Sequence, residues 1–209
     1  MSHTTEQESF WAGEFGDAYI ERNTLETLVP ARMSLFSRIL GRAAGISSVM
    51  EFGPNIGANL FAIHMLLPKA ELKCVEINAA AVKTLKTYPW MAKVVHGSFT
   101  DTDYDNEADL AFTSGVLIHI SPDRLPKAYE NLYRAARKYV MVCEYYNRTP
   151  VTLPYRGHDD RLFKRDFAGE MMDAYGDLEL VGYGFAYHRD PVHPMDDLSW
   201  FLMKKRRGS

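Results

Sequence analysis

The rhythm of apolar positions changes near residue 45. Upstream, residues 5–23 (TEQESFWAGEFGDAYIERN) are rich in aromatics and broken by Gly13 and Gly16, a pattern of one or two short helices. Pro30 then opens a helical run to about Ala44, with Met33, Leu35, Phe36, Ile39 and Leu40 at mixed three- and four-residue spacing and Gly45 placed to stop it. Downstream, short apolar runs alternate with helical stretches. SSVMEFG, ELKCVEI, AKVVHGS, ADLAFTSGVLIHI and KYVMVCEYY predict strands. ANLFAIHMLL, the alanine-rich NAAAVKTLKTY and SPDRLPKAYENLYRAA predict helices, the last with Ser121 as a natural N-cap. Such alternation implies an α/β domain, a parallel sheet with helices on both faces.

Beyond Tyr146 a polar, proline-punctuated segment of about twenty residues, NRTPVTLPYRGHDDRLFKRD, predicts a long loop. A helix, RDFAGEMMDAYG, follows, and then two strands, LELVGYGFAYHRD and LSWFLMKK, that can pair as a hairpin at a sheet edge.

Composition narrows the class. The chain has 209 residues, 46% apolar and 24% charged, as expected of one globular domain. A net charge of −3 argues against nucleic acid or an anionic membrane as the main partner. The KKRR run from Lys204 reads as a solvated end. Cys74 and Cys143 sit in apolar runs without metal-binding spacing and read as buried hydrophobes. His188, Asp190 and His193 lie in a proline turn, so no metal is expected. With no long apolar segment, a cytoplasmic protein is expected.

The stretch VMEFGPNIGANL carries the first chemistry. A glycine turn between a strand and a helix presents backbone N–H groups at a positive helix end. Asn55 stands where a dinucleotide site needs a glycine to admit a pyrophosphate. The turn therefore suits a nucleoside without one, or is a tight turn alone. Glu76 ends the second strand about twenty-five residues after Glu51, where a carboxylate can accept both ribose hydroxyls; it could equally cap the next helix.

Glu51-x-Gly53-x-Asn55-x-Gly57 resembles the first motif of class I S-adenosylmethionine (SAM)-dependent methyltransferases, with Asn55 in the middle place. Glu76 with Ile77 resembles their ribose-binding position, Gly97, Ser98 and Phe99 the residues flanking adenine, and Phe112–Ile120, with Ser114 and Gly115, the strand end lining the methyl-transfer site. The resemblance implies a Rossmann-like fold with a seven-stranded, mostly parallel sheet and its last two strands as an antiparallel hairpin. Residues 1–46 would form a helical lid and residues 47–209 the SAM-binding domain, with Tyr19 of the lid on the cofactor. Three segments, residues 9–23, 112–120 and 144–173, are more narrowly similar to the subgroup named "pseudaminic acid biosynthesis-associated methylase", a name that records gene neighbourhood with sugar pathways.

SAM is already activated, so the protein's work is alignment and exclusion of water, with a base needed only for a protonated acceptor. His119, with an unperturbed pKa of about 6.5, and Glu144 are the candidate bases; a structural histidine and a carboxylate paired with a loop arginine are the alternatives. Arg148, Tyr155, Arg156, His158 and Arg161 form a locally basic segment suited to a small anionic substrate, or to the protein's own acids. Trp11, Tyr145 and Tyr146 can wall the substrate pocket or serve as core. The expected function is methyl transfer to an oxygen, or less favourably a nitrogen, of a small anionic metabolite such as a sugar acid or nucleotide sugar, by a monomer or homodimer. A SAM-binding sensor without catalysis and a nicotinamide-dependent sugar-nucleotide enzyme are the rivals.

Overall fold

A computed structural model describes residues 5–21, 24–101, 103–155 and 158–206. Three helices come first: α1 Glu6–Ala12, α2 Glu14–Glu21 and α3 Leu25–Leu40. β1 Ser48–Phe52, α4 Ala58–Leu66, β2 Glu71–Glu76, α5 Ala79–Leu85 and β3 Met91–His96 form the first half of the sheet. β4 Ala108–Ser114, a 3₁₀ turn Leu117–His119, α6 Leu125–Ala135 and β5 Ala136–Glu144 follow. β6 Val151–Tyr155, β7 His158–Lys164, α7 Phe167–Ala174, β8 Leu178–Ala186 and β9 Leu198–Lys205 complete the order.

Seven strands form one sheet in the order β3-β2-β1-β4-β5-β9-β8. β1 to β5 are parallel; β9 is antiparallel to both of its neighbours, β5 and β8, as expected of the last two strands. The two-residue strand period sorts the core. Val49, Leu110, Phe112, Met141 and Cys143 face α3 and α4 together with Leu35, Phe36, Ile39, Leu60 and Ile63. Met50, Phe52, Ala111, Val140 and Val142 face α6 and α7 together with Ala128, Leu132, Phe167 and Met171. The strand order reverses between β1 and β4, which opens a crevice at their carboxyl ends.

Four expectations are corrected. α3 begins at Leu25, because the Thr24 hydroxyl caps it by accepting from Thr27 N–H at 3.3 Å; Pro30 lies inside the helix, which ends at Leu40 rather than Ala44. Ser121 does not cap α6: its hydroxyl donates to Asp123 Oδ1 at 2.6 Å, and Arg124 occupies the cap position. The apolar run ending at Ile120 is not all strand, since Gly115 turns the chain at φ +70° into the 3₁₀ turn that carries His119. The long loop after Tyr146 contains a two-stranded antiparallel sheet, β6 with β7. Pro150, Pro154 and the charged residues mask its alternation, and a proline is tolerated in an edge strand.

Candidate functional site

A cavity of about 380 Å³ lies over the carboxyl ends of β1, β2, β3 and β4, within the size range of small-molecule sites. Its base is the turn after β1. Gly53 has φ +73°, and a Cβ there would stand 2.6 Å from Val116 Cγ2. Asn55 takes φ +52°, a left-handed angle that asparagine tolerates, and its Oδ1 accepts from Ile56 N–H at 2.7 Å. Its own N–H points the other way and donates to Glu76 Oε2 at 2.8 Å. Glu76 Oε1 accepts from Asn78 N–H at 2.8 Å. Burial pushes the Glu76 carboxyl above the usual range, against the N–H groups of Asn78, Asn55 and Ile77 and the nearby His96. Backbone N–H groups thus hold both carboxylate oxygens at a cavity wall. The cap of α5 is Asn78, whose Oδ1 accepts from the N–H groups of Ala80 and Ala81, so Glu76 is not used as one.

Gly97, Ser98 and Phe99 line the β3 side, where Phe99 stacks on Phe52 with centroids 4.3 Å apart. Ile77, Ser114 and Gly115 complete the predicted nucleoside wall. α1 and α2 close the cavity from above. Asn78 Nδ2 donates to Asp17 Oδ1 at 2.8 Å and to the Trp11 carbonyl at 3.3 Å. Glu8 Oε1 accepts from Ser98 Oγ and, at 3.1 Å, from Thr100 Oγ1. Gly16 permits the approach, since a Cβ there would lie 2.0 Å from the Trp11 carbonyl oxygen. Trp11 and Tyr19 both face the cavity with their rings edge to face at 5.5 Å, and Trp11 lies 4.7 Å from the His119 ring.

Other predicted residues fall elsewhere. Glu51 and Gly57 support the turn without lining the cavity. Glu51 lies on the α4 face of β1, where Oε1 accepts from Asn59 Nδ2 at 2.6 Å and Oε2 is buried without a hydrogen-bond partner among the described residues. Burial pushes its carboxyl up to about 8, opposed by Asn59 and Arg32. Glu144 likewise stays beneath the wall. Its Oε1 accepts from Val116 and Leu117 N–H at 3.1 and 3.2 Å, which fixes the turn carrying His119. Burial pushes it up to about 7 against those N–H groups and the neighbouring ones of Ile118 and Gly115. Backbone donors, rather than a loop arginine, therefore hold Glu144 Oε1, while its Oε2 is buried with no hydrogen-bond partner among the described residues; Arg165 donates to Glu170 at 2.6 Å instead. His119, nearly buried, does line the cavity.

Of the expected substrate residues, Trp11 and Tyr145 line the cavity. Tyr146 is exposed and packs beside Phe201 at 5.9 Å, and Arg148 is exposed outside the cavity. Arg156 and the side chains of Tyr155, His158 and Arg161 lie outside the described residues. Lys164, at the end of β7, stands 4.8 Å over the Tyr145 ring. His188 bonds Asp197 at 2.8 Å, and Asp190 accepts from Val192 and His193 N–H. The cavity also takes Glu8, Leu28, Arg32, Asn78, Arg124 and Asp196, which the sequence reading missed. The capping box Thr5–Glu8 was a signal for the first of these.

No family model and no curated protein matches the chain. Solved structures do. A Burkholderia thailandensis 1,6-didemethyltoxoflavin-N1-methyltransferase, with bound 1,6-didemethyltoxoflavin and S-adenosylhomocysteine, aligns over 99% of this chain and 92% of its own, at TM-score 0.71 and 13% identity. The fold is that of a class I methyltransferase. A Synechocystis magnesium protoporphyrin IX methyltransferase with bound SAM covers 99% of this chain and 100% of its own, at TM-score 0.66 and 10% identity. The plantazolicin methyltransferase in complex with S-adenosylhomocysteine covers 96% and 94%, at 0.64 and 10%. These proteins act on dissimilar acceptors, so the shared architecture fixes none. Among the described residues no helix is long and apolar enough to cross a membrane.

Proposed function

We propose that the protein is a SAM-dependent methyltransferase acting on a small acceptor, with α1–α3 as its lid. The observation that carries this reading is Glu76: a buried carboxylate, fixed by backbone donors, on the wall of a cavity that also runs over the glycine turn after β1. SAM supplies an activated methyl group. The chain's residues bind the ribose hydroxyls at Glu76, flank the base with Ile77 and Phe99, and exclude water with Trp11 and Tyr19. His119 is the one predicted base on the cavity wall and would take the proton of a hydroxyl acceptor. An anionic acceptor is supported by Lys164, which stands over the Tyr145 ring of the cavity wall.

Calorimetric titration of S-adenosylhomocysteine tests the reading. Micromolar binding is expected; absence of binding in the wild-type protein ends it. Transfer of labelled methyl from SAM to a small-molecule extract then separates an enzyme from a sensor.

A further inference from the structure

The outer hairpin of the sheet, β8 with β9, has two unlike faces. Towards α3 it is covered. Gly182 and Gly184 lie on that face, where a Cβ would stand 2.5 Å from Arg42 Cδ and 2.7 Å from Trp200 Nε1, so two side chains lie directly against the β8 backbone. The opposite face, which carries α6 and α7 further along the sheet, is covered only as far as Leu178 and Met203, both buried. Beyond them it is bare. Tyr183 is the cross-strand partner of Phe201, and their rings stack at 6.3 Å. Tyr146 meets Phe201 at 5.9 Å, and Phe185 meets Tyr187 at 6.1 Å. Tyr183 is 67% exposed and Phe185 51%, with Tyr146, Tyr187 and Leu180 exposed beside them.

Neither strand brings a charged side chain to this face between Leu180 and Tyr187 or between Ser199 and Met203. Tyrosine and phenylalanine without charge are the composition of an interface core rather than of its rim. The other outer strand, β3, carries Lys93 instead, in an ion pair with Glu107 at 3.2 Å. The occupant that fits the bare face is a second copy of the chain. A face of one charge would repel its own copy, whereas an uncharged one meets itself without that cost. At about 200 Å² for an aromatic side chain, the exposed parts of these residues and of Phe201 amount to roughly 500 Å². Two copies together then remove about 1,000 Å² from water, the size at which specific interfaces begin. We propose that two chains pair about a two-fold axis with their β8–β9 faces packed together, Tyr183 and Phe185 at the centre. The pairing does not depend on the reading of the cavity.

Light scattering of the full chain tests it. A dimer is expected at about 100 μM and a monomer below about 1 μM, as suits an interface at the lower size limit. Tyr183→Glu and Phe185→Glu should each raise the dissociation constant at least about a hundredfold, since every dimer would bury the new charge twice. Met65→Glu, at an exposed apolar residue of α4 on the other side of the sheet, should leave the dimer intact. Hydrogen exchange of the wild type supplies a measurement without variants. Amides 180–187 of the outer strand should exchange more slowly at about 100 μM than at about 1 μM, with those of β3 unchanged. A wild-type chain that stays monomeric at the upper concentration would overturn the proposal. So would a dimer that survives both glutamates, one lost equally in Met65→Glu, or concentration-dependent protection that leaves β8 out.

Discussion

At the β2 end of the cavity, Glu76 is held by backbone donors 2.8 Å away, and the turn beside it has its shape fixed by left-handed angles at Gly53, Asn55 and Gly57. At the β5 end the wall is made of side chains, with Tyr145 just after β5, Asp196 and Leu198 where β9 begins, and Lys164 of the added β6–β7 hairpin over the Tyr145 ring. Backbone geometry survives substitution of its neighbours, whereas a side-chain wall changes with each residue. On the proposed function, the first end would take the constant ligand and the second the particular acceptor.

The contrast can be broken most directly at Glu76. Glu76→Ala should weaken S-adenosylhomocysteine about a hundredfold, the scale of two charge-assisted hydrogen bonds, when measured by calorimetry. A loss below tenfold would mean that the backbone, not the carboxylate, carries the nucleoside end.

Glu51 sharpens it with a stability measurement. Its folded pKa is raised to about 8 from an ordinary value of 4.5. The protonated form is therefore favoured by folding. Its contribution is complete below about pH 4.5 and is lost as pH rises through 8. Glu144, raised to about 7, has the same sign. Thermal melting of the ligand-free protein should fall between pH 5 and 8, and Glu51→Gln should make that fall shallower. An unaltered slope would show that Glu51 is charged in the folded protein.

The smallest effect belongs to Asn55→Gly. Glycine reaches φ +52° freely and keeps the N–H that meets Glu76, so affinity for S-adenosylhomocysteine should move by less than about threefold. A tenfold loss in titration would give the Asn55 side chain a direct part in binding.

The sequence made the sheet legible because its buried strands alternate with helices over a regular span. The Glu76 end of the cavity was legible for a related reason: Gly53, Asn55 and Glu76 sit at strand ends, where local chain geometry fixes what a residue meets. Glu51 was misplaced because the strand pleat turns it onto the α4 face, one residue out of step with Met50 and Phe52. Glu144 was misread because its partners are backbone donors of a 3₁₀ turn hidden inside an apolar run. Arg32 left no local signal. It reaches the cavity only because α3 packs on α4, a contact between segments that no periodicity announces.

The position of β9 between β5 and β8 bears on how the chain is made. During synthesis β8 leaves the ribosome before β9, the strand that joins it to the sheet. Until residues 198–205 emerge, β5 is an open edge of a five-stranded parallel sheet and β8 waits unpaired. Final closure is thus a late insertion rather than an addition, and the nascent chain exposes two strand edges to chaperones until it happens.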